Sequence, residues 1–136
     1  MIQRIQSIWL LIASVVTFLT LKLSFYSGIY LPDNLYHQLN GTQSLTIMIP
    51  TIGLGILSLV IILLFKNRIA QLWLCIVAIL LDLLLLFLYY RETSNFTKGD
   101  YAFTAVLHIL IIAALVLAAR GINKDEKLIK DSNRLR

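Results

Sequence analysis

The fold is decided by the stretch IAQLWLCIVAILLDLLLLFLYY, which runs from Ile69 to Tyr90. At about 1.5 Å per residue, a helix of this length crosses the hydrocarbon layer of a bilayer, which is about 30 Å thick. The stretch carries one carboxylate, Asp82, at a depth where lipid is expected. It therefore predicts a membrane-spanning helix that turns Asp82 away from lipid and towards a partner.

The composition also indicates a membrane protein. The chain has 136 residues, of which 59% are hydrophobic and 14% charged, whereas about a quarter of the residues in a soluble domain are charged. This excess of apolar surface has to face lipid, so we expect the bilayer to be a partner. The net charge of +5 is interpreted as topology and contact with anionic headgroups rather than nucleic-acid binding. Cys75 is the only cysteine, which excludes an intrachain disulfide.

Four apolar runs organise the chain, at about residues 5–25, 44–65, 69–90 and 101–119. Backbone groups in lipid have to bond within their own segment, so the runs are predicted to be helices. We expect the first run to remain as a helix, because Lys22 interrupts it and no small-x-small cleavage site follows. The prediction is one all-α membrane domain, residues 1–136, built as a four-transmembrane-helix bundle with a charged tail at 120–136.

The orientation follows from the connections and the cations. The link from Lys66 to Arg68 is so short that it forces a helical hairpin. With the N-terminus inside, nine cations lie on the cytoplasmic side and three, Lys22, Arg91 and Lys98, on the other. The nine are Arg4, Lys66, Arg68, Arg120, Lys124, Lys127, Lys130, Arg134 and Arg136. This bias predicts that both termini are cytoplasmic.

The tail is predicted to form a short charged cytoplasmic helix. Gly121 can end the fourth helix, and Asn123 can cap a new turn with Asp125 and Glu126 near its positive end. One interpretation is a solvated segment that touches headgroups, and the other is a docking segment for a cytoplasmic partner.

Small and polar residues mark one face of each predicted helix, and such faces let membrane helices approach closely. They recur at helical spacing, so we expect them to face the interior of the bundle. An equal alternative for the face on helix one is that it binds another subunit. The faces are Ala13, Thr17, Thr20 and Ser24; Thr51, Gly55 and Ser58; Gln71, Cys75, Ala78 and Asp82; and Ala105 and His108.

An intramembrane polar cluster of Asp82, His108 and Lys22 is the one candidate for chemistry. Helices three and four run antiparallel, so Asp82 and His108 lie at nearly one depth, and the stem of Lys22 reaches towards them. Three interpretations of a contact between Asp82 and His108 remain open. It is structural, it handles protons or ions, or it forms a polar patch that binds a partner. One Asp and one His are too few for a metal site. The second histidine, His37, lies in an outer loop, which excludes a haem held by two intramembrane histidines. No cofactor is expected.

Three segments resemble a known family: MIQRIQSIWLLIAS, LLFKNRIAQLWLC and AARGINKDEKLIKDSNRLR. They are similar to the bacterial four-helix membrane family catalogued as domain of unknown function 4293, over essentially the whole chain. The resemblance implies four spans and a bacterial cytoplasmic (inner) membrane, and it carries over no catalytic residues. It also draws attention to a polar cytoplasmic surface, which is either topogenic charge with helix capping or a docking face. Its residues are Gln3, Arg4, Gln6, Arg120, Lys124, Asp125 and Glu126.

Three functional hypotheses remain. The first is a non-enzymatic scaffold or accessory subunit of a membrane complex, with a membrane-protein partner or a homo-oligomer. The alternative is a small proton- or ion-linked transporter or channel that uses Asp82 and His108. An intramembrane enzyme ranks last, because Cys75 lies about 10 Å below Asp82 along its helix.

Overall fold

The structure, a computed structural model, describes the backbone of residues 2–136 and the side chains from Ile5 onwards. These residues form four helices and three strands. The helices are α1 (Ile2–Thr20), α2 (Leu45–Leu63), α3 (Arg68–Thr93) and α4 (Thr104–Arg134). The strands are β1 (Ser24–Tyr30), β2 (Leu35–Asn40) and β3 (Phe96–Tyr101).

Three of the helices, α2, α3 and α4, are long and apolar enough to cross a membrane, by length and composition. The apolar part of α1, Ile5–Thr20, is shorter. The chain is thus mostly helical and consistent with a multi-pass membrane protein, as the apolar runs predicted.

Each helix packs against two others: α1 lies against α2 and α4, and α3 lies against the same two. Small residues set the distance between α1 and α2. A Cβ at Gly55 would come within 2.7 Å of the Phe18 ring, so a side chain at this position would require the ring to move. The Ser14 hydroxyl donates to the Gly55 carbonyl at 3.0 Å across the same contact. Most residues of the faces predicted to be inward are buried, including Thr51 and Ser58. Ser24 and Ala105 are half-buried, and Ser24 lies in β1 rather than on α1.

A three-stranded antiparallel sheet in the order β2-β1-β3 lies where α1 and α3 end and α2 and α4 begin. β1 and β2 form a hairpin, and β3 comes from the α3–α4 connection. Gly28 and Gly99 face each other across β1 and β3. A Cβ on Gly28 would lie 2.2 Å from the Lys98 carbonyl oxygen, so this glycine pair permits the close approach of the two strands.

The sheet corrects the all-α prediction. The connection between runs one and two was expected to be a loop, and it contains the hairpin instead. Its strands, SFYSGIY and LYHQLN, are rich in aromatic residues that favour extended structure. Helix one is also shorter than the predicted 5–25: it ends at Thr20, and Ser24 begins β1.

The end of α4 corrects a second prediction. Gly121 does not end the helix, which continues without a break to Arg134, so no separate C-terminal helix forms. The reason is packing, because Ile122 and Asp125 are buried beyond Gly121. A Cβ at Gly121 would lie 2.7 Å from Cγ of Gln6. The glycine therefore serves the close approach of α1 to α4 rather than a stop.

Candidate functional site

One face of α3 is buried along its whole length, and Asp82 lies at its middle. The buried residues recur every three or four positions, which is the period of one helix face. They are Gln71, Cys75, Ala78, Asp82, Leu85, Tyr89 and Thr93. The helix begins where the Asn67 side chain accepts a hydrogen bond from the Ala70 backbone amide at 3.3 Å, a capping contact that satisfies one of the amides left unpaired at a helix start.

His108 lies on the buried face of α4, four residues after Thr104. Since α3 and α4 are consecutive and packed together, the two faces bring His108 to Asp82. The distance from His108 Nδ1 to Asp82 Oδ1 is 2.7 Å, and both side chains have 0% exposure. One proton lies between the two atoms, carried either by the imidazole or by the carboxyl group.

Two aromatic rings cover this pair at the end nearest the sheet. Phe25 of β1 stacks on Tyr89 of α3, with ring centroids 4.3 Å apart and planes 18° apart. The His108 ring meets both edge-on, at 5.9 Å from Phe25 and 5.4 Å from Tyr89. The fully buried pair is therefore separated from the sheet by a packed aromatic layer.

Sequence analysis did not predict this layer, because it named neither Phe25 nor Tyr89 as a neighbour of Asp82 and His108. Tyr89 was detectable: it continues the buried face of α3 seven residues after Asp82. Phe25 gave no such signal, since its burial depends on a strand that the sequence reading did not contain.

Three polar atoms in this buried cluster have no hydrogen-bond partner: Asp82 Oδ2, Tyr89 OH and His108 Nε2. A buried polar atom left unpaired costs about 1–3 kcal/mol. The cluster thus keeps free acceptor and donor capacity on three adjacent side chains. Water or a bound proton would use that capacity.

Lys22 does not join the cluster. It lies in the turn after α1 and its side chain is exposed. The early end of α1 is the reason, since the chain leaves the helix at Thr20 and turns into β1. The Asp82–His108 contact therefore forms without a third ionisable side chain from α1.

The predicted cytoplasmic surface divides into two parts. Gln6 and Asp125 are buried and face each other, and Gln6 Nε2 donates to Asp125 Oδ2 at 2.6 Å. Arg120 and Lys124 are exposed. Glu126 pairs with Lys130 at 2.7 Å. The side chains of Gln3 and Arg4 lie outside the described residues.

Within residues 5–136, no three His, Cys, Asp or Glu side chains are placed so that they could hold a metal ion. Asp82 and His108 supply two potential ligands, fewer than the three or four protein ligands of most zinc sites. The geometry of the cluster instead suits a hydrogen-bonded pair that exchanges or retains one proton.

Comparison with known proteins identifies a family for this chain. No curated protein and no solved structure matches the chain. A family profile described as "Domain of unknown function (DUF4293)" matches residues 2–135, which is nearly the whole sequence. The chain therefore belongs to the DUF4293 family, as the three similar segments predicted.

Proposed function

We propose that the protein is a non-enzymatic scaffold or accessory subunit of a membrane protein complex, built as a four-span bundle. The short helix α1 is the element that this proposal adds to the three long apolar helices. Its outward side chains are apolar at helical spacing, which suits contact with lipid. They are Ile5, Ile8, Leu11, Val15 and Leu19.

The proposed location is the bacterial cytoplasmic membrane, with both ends of the chain on the cytoplasmic side. The start of α1, the α2–α3 turn and the end of α4 lie away from the sheet. Nine of the twelve cations belong to that end. A positive-inside distribution supports this orientation and puts the sheet on the outer side.

The observation that carries the scaffold proposal is the complete burial of the Asp82–His108 pair. Both side chains are 0% exposed and lie behind Phe25 and Tyr89. A pair enclosed in this way ties α3 to α4, whereas a transport site needs access from water. We therefore interpret the helix interior as rigid and expect the protein to contact its partners through its outer surfaces.

The C-terminal part of α4 provides the surface that we propose binds a partner. A helix of 31 residues is about 46 Å long, so about 16 Å extends past the hydrocarbon layer. We call the exposed cations Arg120, Lys124, Lys127 and Arg134 the basic face. They recur at positions i, i+4, i+7 and i+14, which places them on one side of the helix.

The test is copurification from the native membrane in mild detergent, with the mass of the complex measured by native mass spectrometry. We expect a defined assembly larger than the monomer. Replacing Lys124, Lys127 and Arg134 by Gln should release the partner. The matched control is Lys98→Gln on β3, which also removes exposed positive charge but at the other end of the helices.

Two results would overturn the scaffold proposal. One is a protein that is monomeric in native membranes at its normal abundance. The other is equal loss of the partner in the control and in the triple variant, because release would then reflect charge alone.

A second function, a proton- or ion-linked transporter, is favoured by one observation: the unpartnered Asp82 Oδ2 and His108 Nε2. If the pair carries protons, Asp82→Asn should abolish proton flux in reconstituted vesicles while the protein stays folded. Gln71→Ala, on the same face of α3 about 16 Å away, should leave flux unchanged. Absence of flux in the parent protein removes this function.

A further inference from the structure

A cavity of about 240 Å³ lies beside the sheet, between the β1–β2 hairpin and the end of α3. Ligand sites usually measure about 300–1,000 Å³, so this one suits a small molecule. It lies outside the Asp82–His108 cluster. The residues that matter for its chemistry are Tyr30, Asp33, His37, Glu92 and Phe96.

The cavity is acidic in a chain that is basic overall. Asp33 and Glu92 line it, and no Lys or Arg is among its lining residues as the structure describes them. The whole chain carries a net charge of +5. A local excess of carboxylates inside a concave surface attracts cations and disfavours anions.

Aromatic rings form one wall. Tyr30 lies 5.3 Å from Phe96 and 5.6 Å from His37, measured between ring centroids. Leu39, buried at 4% exposure, adds apolar surface to the cavity. Aromatic faces attract organic cations, and together with carboxylates they form the usual surroundings of a bound ammonium group.

The polar groups around the cavity keep free hydrogen-bonding capacity. Glu92 Oε2 accepts a hydrogen bond from Asn95 Nδ2 at 3.2 Å, which leaves Oε1 available. His37 Nε2 is buried without a hydrogen-bond partner, and it lies 3.8 Å from Asp33 Oδ2. These atoms can accept or share the protons of a ligand that enters the cavity.

A metal ion does not suit this arrangement. Over the described side chains, Asp33, His37 and Glu92 are not close enough together to hold one ion. An organic cation bridges a wider gap, because its charged group meets one carboxylate while its carbon atoms lie on the rings. We propose that this cavity binds a small organic ammonium ion. The proposal does not depend on the scaffold function.

The test is isothermal titration of the full chain in lipid nanodiscs with two probes, choline and putrescine. We expect saturable binding of at least one probe. The uncharged isostere of choline, in which carbon replaces the nitrogen, should bind at least about tenfold more weakly, which corresponds to about 1.4 kcal/mol. Asp33→Asn and Glu92→Gln should each weaken binding at least about fivefold.

The matched control is Asp100→Asn, an exposed carboxylate on β3 outside the cavity, which should leave binding unchanged. Size-exclusion profiles establish that each variant is folded. The proposal is overturned if neither probe binds, if the isostere binds equally well, or if Asp100→Asn weakens binding as much as Glu92→Gln. It is also overturned if calcium or magnesium binds saturably and neither amine does.

Discussion

Asp82 on α3 and His108 on α4 share a 2.7 Å hydrogen bond with neither side chain exposed. Removing one member of a buried pair leaves the other unpaired, at a cost of about 3–5 kcal/mol. We expect Asp82→Ala and His108→Ala each to lower the free energy of unfolding by about 3 kcal/mol. The double variant should cost about 1–3 kcal/mol less than the sum, measured by denaturation in detergent.

A control cycle combines Asp82→Ala with Gln71→Ala. Gln71 donates to the Ile61 carbonyl at 2.9 Å, and it lies about 16 Å from Asp82 along α3. Effects at that separation add. Additive losses for the Asp82–His108 cycle would contradict a direct coupling between the two side chains.

The glycines of α2 and α4 predict opposite responses to the same change. Gly53→Ala meets nothing within 4 Å and should stabilise the protein by about 0.5–1 kcal/mol, since alanine favours helix. Gly121→Ala puts a Cβ 2.7 Å from Cγ of Gln6, and we expect a loss of about 1–3 kcal/mol. The two melting temperatures in one detergent test this difference in sign, and equal shifts would contradict it.

The close pairing of β1 and β3 predicts the effect of a side chain at Gly28. Gly28→Val should separate β1 from β3, because its side chain would meet the Lys98 carbonyl oxygen. We expect faster amide exchange at β3, measured by mass spectrometry, with α2 and α3 unchanged. Lys98→Ala, which changes an exposed side chain on β3, serves as the control. Unchanged exchange in the Gly28 variant would show that the strands tolerate a side chain there.

The proposed orientation predicts which positions are accessible from outside intact cells. The native thiol, Cys75, is buried, so the parent protein should react little with a membrane-impermeant maleimide. Lys98→Cys and Tyr36→Cys, at the sheet end, should react. Lys66→Cys and Asp131→Cys should react only after permeabilisation. The reverse pattern would place the sheet in the cytoplasm.

Much of the helical part was predictable. Each helix faces lipid on one side and the core on the other, so small and polar residues recur in the sequence at the spacing of one helix face. The face of α3 containing Asp82 follows from spacing alone, and an antiparallel α3–α4 pair puts His108 at the same depth. Lys22 was misplaced because its position was measured from an assumed helix end. The actual end at Thr20 depends on the strand that follows.

The sheet and the long α4 were less predictable because both depend on distant partners. β3 pairs with β1 across about seventy residues, and short-range spacing does not record that pairing. The sequence around Gly121 predicts the end of a helix. Its actual role depends on a distant residue, because the missing side chain leaves room for Gln6 of α1. The Gln6–Asp125 bond likewise joins residues at opposite ends of the sequence.

The central position of β1 in the sheet has a consequence for the order in which the chain is synthesised. β1 and β2 emerge early, but the second edge of β1 waits for β3, which follows the whole of α3. During that interval the hairpin presents an open edge, the kind of surface on which chains aggregate. A ribosome that stalls before Tyr101 would release a chain with this edge still unpaired.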